Sequence, residues 1–123
     1  MDNNESQGKD FLYILWTTDN PITARHMVFL YADDCLRQGR FAGVHILVWG
    51  ASVLLLSQSK PIANEVRKFQ SLGGQVRICR RCAEKYGILV TLERMEEIAP
   101  ASIEYLADSL TEILKSGHTL LTL

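Results

Sequence analysis

Two nearly unbroken apolar runs, "FLYILWTT" from Phe11 and "VHILVWG" from Val44, are separated by a segment of helical length, and a shorter run, "QVRIC" from Gln75, follows a second such segment. Continuous hydrophobicity over six to eight residues is the signature of strands buried on both faces, which occurs when helices cover both sides of a parallel sheet. That alternation constrains the fold more than any other feature of the chain.

Between the first two strands, Ile22 to Gln38 places Ala24, Met27, Val28, Tyr31, Cys35 and Leu36 at helical spacing, with Gly39 as the stop. A second helix is expected from about Pro61 to Leu72, opened by a first-turn proline and closed by Gly73-Gly74. After the third strand, Gln75 to Cys79, good helix formers run from Arg80 to Tyr86, and Gly87 terminates them. Leu92, Met95 and Ile98 suit a short helix. Further on, Ile103, Leu106, Leu110, Ile113 and Leu114 fit one long helix by period, but Ser109 and Glu112 form the S-x-x-E pattern of a capping box and place its start at Ser109. "SIEYLA" then reads as a fourth strand and "HTLLTL", after the Gly117 stop, as a fifth. The expected fold is α/β, a mostly parallel five-stranded sheet with helices on both faces and right-handed crossovers.

A chain of 123 residues with 47% apolar content suits one domain, residues 11–123, preceded by a disordered polar tail over 1–10. Thirteen basic and 14 acidic side chains leave a net charge of −1, which excludes the single-sign field of a general nucleic-acid or membrane binder. No run is long enough for a membrane span and residues 1–10 lack the apolar core of a signal peptide, so a cytoplasmic location is expected. An odd count of three cysteines argues against a disulfide framework and for free or reactive thiols.

Two of those thiols lie in "VRICRRCAEKYG", three positions apart. Sites in open α/β sheets form at the carboxyl ends of strands, where Cys79 is expected. Helix-end amides together with Arg77, Arg80 and Arg81 would favour the thiolate, lowering a cysteine pKa from about 8.5 into the range of roughly 3.5 to 7.5. Such a sulfur attacks disulfides, persulfides and electrophiles without a separate base. Cys82, one turn on, is either a resolving thiol or a packing residue.

Other chemistry finds less support. Structural zinc needs four ligands, and one C-x-x-C with isolated Cys35, His26, His45 and His118 supplies half a site, so no metal is expected. The glycines form no phosphate-cradling motif, and no cofactor is expected. Asp33-Asp34 reads as a solvated helix face. The run "ASVLLL" follows the second strand beside the cysteine loop, and Trp49, Gly50, Val53, Leu54, Leu55 and Leu56 are expected to line an oligomer interface, to cover the Cys79 pocket, or to be plain core. Thr17, Thr18 and Asp108 lie at expected strand ends, where they either border the same pocket or serve as common turn and cap residues.

The stretches "WGASVLLL", "KPIANEVRKFQSLGGQVRICRRCAEKYGI" and "IEYLADSLTEILKSGHTLLTL" resemble the DsrE/DsrF-like family of small sulfur-handling proteins, over nearly everything from Phe11 to Leu123. Most specific is a cysteine at the end of the third strand followed eight residues later by glycine, here Cys79 and Gly87, with an apolar loop after "WG" upstream. The resemblance implies a three-layer α/β/α sandwich, a homotrimer or homohexamer, and a persulfide carried on Cys79. It points to a sulfur relay, with donor and acceptor proteins as partners. A non-enzymatic oligomeric binding or redox-sensing module is the alternative. A dithiol oxidoreductase using Cys79 and Cys82 is a third, and a thioredoxin fold is disfavoured because this C-x-x-C follows the third strand.

Overall fold

Every strand of the sheet is parallel to its neighbours in the computed structural model, which describes residues 10–123; apart from Asp10, the expected polar tail lies outside the described residues. The strands are β1 (Phe11–Trp16), β2 (Gly43–Val48), β3 (Gln75–Cys79), β4 (Ser102–Glu104) and β5 (Thr119–Thr122), in the order β4-β3-β2-β1-β5. Parallel neighbours cannot be joined by a tight turn, so each connection carries helix across a face. The result is a three-layer α/β/α sandwich.

Central register sets Ile14 beside Ile46 and Ile46 beside Val76, all buried. On that face Trp16 meets Phe29 edge-on with ring centres 5.3 Å apart, and Phe29 meets Phe69 at 6.3 Å. Edge-to-face pairs of this kind each add about 0.5–1.5 kcal/mol beyond simple burial. Phe69 comes from α4 (Lys60–Ser71), whose buried stripe is Ile62, Ala63, Val66 and Phe69. Ser59 caps it by accepting the Ile62 amide at 3.3 Å, and Pro61 occupies the first turn, where its missing N–H costs nothing.

The first helical segment departs from the expected periodicity. It opens as α1 (Pro21–Thr23), widens into π-helical turns over Ala24–Phe29, and continues as α2 (Leu30–Gln38) to Gly39 at φ 62°. A π turn takes in an extra residue, so the inner stripe slips by about one position. Met27 and Tyr31, expected on the core face, are 50% and 39% exposed, while Phe29, Ala32 and Asp33 are buried. Asp33 is therefore not on a solvated face: it is 2% exposed and its carboxylate lies 3.3 Å from Lys68 Nζ of α4. Burial raises its pKa against the pull of Lys68. Asp34, by contrast, pairs with Arg40 at 2.9 Å.

Two further expectations are corrected. The run after Trp49-Gly50 is not a loop but α3 (Ala51–Gln58). The C-terminal helix, α7 (Leu106–Ser116), starts three residues before Ser109, because burial of Leu106 and Ile113 against the core outweighs the capping-box pattern. Ser109 instead donates its hydroxyl to Glu104 Oε1 at 3.2 Å. Between β3 and β4 run α5 (Arg80–Lys85), α6 (Leu89–Glu93) and a 3-10 turn at Glu96–Ile98.

Candidate functional site

Cys79 ends β3 and is also the residue before the first turn of α5. Its Sγ accepts the backbone amide of Cys82 at 3.3 Å, in the position usually held by a serine or aspartate oxygen. Cys82 Sγ in turn accepts the amide of Gly50 at 3.4 Å. Gly50 adopts φ 72°, ψ −134°, a conformation that L side chains rarely enter, and it presents that amide to the sulfur. The loop is pinned from below. The Trp49 amide bonds to the Trp16 carbonyl at 3.1 Å, and the buried Ser52 hydroxyl donates to the same carbonyl at 2.5 Å. The end of β1, the β2–α3 loop and α5 are thereby clasped around two sulfur atoms.

Beside them opens a pocket of about 410 Å³. Its inner lining is Cys79 and Leu106, both buried, with Trp49 and Cys82 half-buried. Arg81, Lys85, Tyr86, Tyr105 and Asp108 form the exposed part of the wall. Both cysteines therefore line one cavity.

The expected thiolate is not what this geometry holds. Cys79 is 3% exposed, and burial, followed by the neighbouring Cys82 side chain, pushes its thiol up to about 11, against the opposite pull of the Cys82 and Arg81 amides. Helix α5 is only six residues long, which limits its dipole. The guanidinium groups are also engaged elsewhere. Arg77 grips Glu104 with Nη2 2.9 Å from Oε1 and Nε 3.3 Å from Oε2, and this pairing is the main reason that the Glu104 carboxyl lies below the usual range. Arg80 bonds Glu84 at 3.2 Å. Arg80 and Arg81 flank the Tyr105 ring at 5.9 and 6.0 Å, the outer limit of a cation–π contact. Of the three, Arg81 alone lines the pocket.

The remaining candidates separate. Val53 and Leu56 are fully buried in the core, and Leu54 and Leu55 are half-buried on α3, so these four do not line the pocket, whereas Trp49 does. Asp108 borders it; Thr17 instead donates its hydroxyl to the Leu123 carbonyl, and Thr18 accepts the Asn20 amide. Cys35 is core. The His45 ring packs 4.9 Å from that of Tyr13, and His118 Nδ1 accepts the Phe11 amide at 3.1 Å. Among the described residues no three His, Cys, Asp or Glu side chains converge as a metal site. Lys85, Tyr86, Tyr105 and Leu106 carried no motif in the sequence; recognising the start of α7 would have brought the last two to the pocket edge.

No protein-family model matches the chain, and no curated protein does. Among solved structures, the conserved protein of unknown function BT1422 from Bacteroides thetaiotaomicron is 31% identical over 93% of this chain and 95% of its own, with a TM-score of 0.85. The chain belongs to the family of BT1422. The ychN protein of E. coli aligns over 94% of this chain and 99% of its own with a TM-score of 0.69, and at 13% identity it shares the fold. For the BT1422 family member described here, no helix among the described residues is long and apolar enough to cross a membrane.

Proposed function

We propose that the protein is a sulfur relay that carries sulfane sulfur as a persulfide on Cys79 and passes it to a partner thiol. The observation that carries this reading is the convergence of Cys79 and Cys82 on one pocket at the carboxyl end of the sheet, each sulfur held by a backbone amide. In loading, the Cys79 sulfur attacks the outer sulfur of a donor R–S–SH. The donor S–S bond breaks and R–S⁻ leaves with the electron pair and takes up the proton that Cys79 loses, giving Cys79–S–SH and R–SH with no net oxidation. Delivery is the same exchange in reverse, with the acceptor thiolate attacking the outer sulfur of Cys79.

Intact mass spectrometry after challenge with a persulfide tests this. The wild type gains the mass of one sulfur atom and Cys79→Ser does not, while Cys82→Ser still loads. Equal loading of Cys79→Ser ends the assignment. A homotrimer or homohexamer accompanies the proposal, and a monomer by light scattering at micromolar concentration removes that part of it.

A second reading, a non-enzymatic binding or redox-sensing module, is favoured by the buried thiol raised to about 11. It requires sluggish alkylation of Cys79 at neutral pH together with no transferable sulfur. The relay requires transfer despite that sluggishness.

A further inference from the structure

The cations of the cysteine helix divide into two groups. Arg80 is engaged by Glu84, whereas Arg81 and Lys85 form no ion pair among the described residues, and both line the pocket that holds the thiols. Opposite in charge and likewise without an ion pair among the described residues, Asp108 enters the same wall from the first turn of α7. Two uncompensated cations and one uncompensated anion thus stand around an apolar recess with sulfur at its inner end. Unpaired charges at the rim remain solvated when the pocket is empty, so a ligand that brings the complementary set meets little desolvation cost and gains orientation. The recess, about 410 Å³, falls within the range of small-molecule sites, and Trp49 and Tyr105 contribute to its lining.

We infer that this pocket binds a small zwitterionic thiol compound of the amino-acid or short-peptide class, with two carboxylates against Arg81 and Lys85 and one ammonium against Asp108. The inference rests on the relay reading for what the ligand does there: its persulfide form is the sulfur donor. Its sulfur points inward, where attack by Cys79 transfers the outer sulfur atom and releases the reduced thiol, as balanced above.

Two measurements separate the ligand from the chemistry. In titration calorimetry, S-methylglutathione, which cannot transfer sulfur, is expected to bind saturably and its diethyl ester to bind more weakly. Arg81→Ala and Lys85→Ala should each weaken S-methylglutathione by about 3-fold, the worth of one exposed charge pair, and leave the ester unchanged. In the second measurement, glutathione persulfide should load wild type at lower concentration than its diethyl ester does, and each variant should shrink that preference by about 3-fold. Equal affinity for acid and ester, or equal loss of both in the variants, overturns the inference. Charge-dependent binding of S-methylglutathione with no sulfur loaded from either persulfide upholds the ligand site and ends the relay instead.

Discussion

The Gly50 amide lies 3.4 Å from Cys82 Sγ, so the sulfur of one crossover is tied to the backbone of another. The bond depends on Gly50 holding φ 72°, ψ −134°. Space is not the constraint, since an added Cβ would meet only the Thr17 carbonyl at 4.0 Å. Gly50→Ala is expected to cost about 1–3 kcal/mol by urea denaturation through backbone strain alone. It should also accelerate alkylation of Cys82. An unchanged midpoint with an unchanged Cys82 rate would show that the conformation is not required.

The two pocket thiols should react in a fixed order. Cys82 is half-exposed and Cys79 buried, so iodoacetamide at neutral pH is expected to modify Cys82 first, which peptide mapping reads directly. The Cys79 rate should then climb about tenfold per pH unit up to about 11 as the thiolate fraction grows. A plateau near pH 8 would contradict the raised value.

The same shift has a consequence for stability. A thiol whose folded pKa exceeds its unfolded one contributes stability that is complete below the ordinary value of 9.0 and is lost as pH rises towards about 11. Compared with Cys79→Ser, the wild type should lose stability over that interval in denaturation at stepped pH. Parallel pH profiles for the two proteins would refute it.

Arg77 offers a test of where its charge acts. Because it is committed to Glu104, Arg77→Met should destabilise the fold by about 1 kcal/mol and leave the alkylation rate of Cys79 as it was. The Glu104 carboxyl is held below its usual range, so its contribution is present above the ordinary carboxylate pKa and fades as pH falls through the depressed one. A slower Cys79 in this variant would return Arg77 to the thiol.

Asp33 should behave in the opposite sense to Glu104. Its carboxyl is raised by burial, and Oδ1 has no hydrogen-bond partner among the described residues, so the ionised form burdens the fold once pH passes the ordinary carboxylate value. Asp33→Asn is expected to gain about 1 kcal/mol at pH 7 and nothing at pH 3 in urea melts. A loss at neutral pH would mean that the Lys68 contact outweighs burial.

The legible and illegible parts of this chain differ for physical reasons. β1, β2, β3 and α4 were readable because buried strands and an amphipathic helix with a Ser59–Pro61 start write their burial into the sequence. α3 was not, because "ASVLLL" is apolar all round and shows no period. A period of 3.6 puts Met27 on the core face and Asp33 on the solvent face, and the wider winding of Ala24–Phe29 reverses both. Strand-end reasoning points to Cys79 and Asp108, which line the pocket, and equally to Thr17 and Thr18, which bond elsewhere, whereas Tyr105 and Leu106 are hidden by a capping-box pattern that tertiary packing overrides. Charge near a cysteine in sequence also proved a poor guide to charge near its sulfur, since Arg77 and Arg80 turn to carboxylates.

β5 closes the sheet by pairing with β1, and the Thr17 and Leu123 contact at this seam spans 106 positions. While the chain is being made, β1 can settle against β2 early but keeps a bare flank until β5 emerges. That flank is a ready template for a foreign strand. Long-range closure of this kind slows folding, so the interval before β5 docks is when a nascent chain most needs shielding.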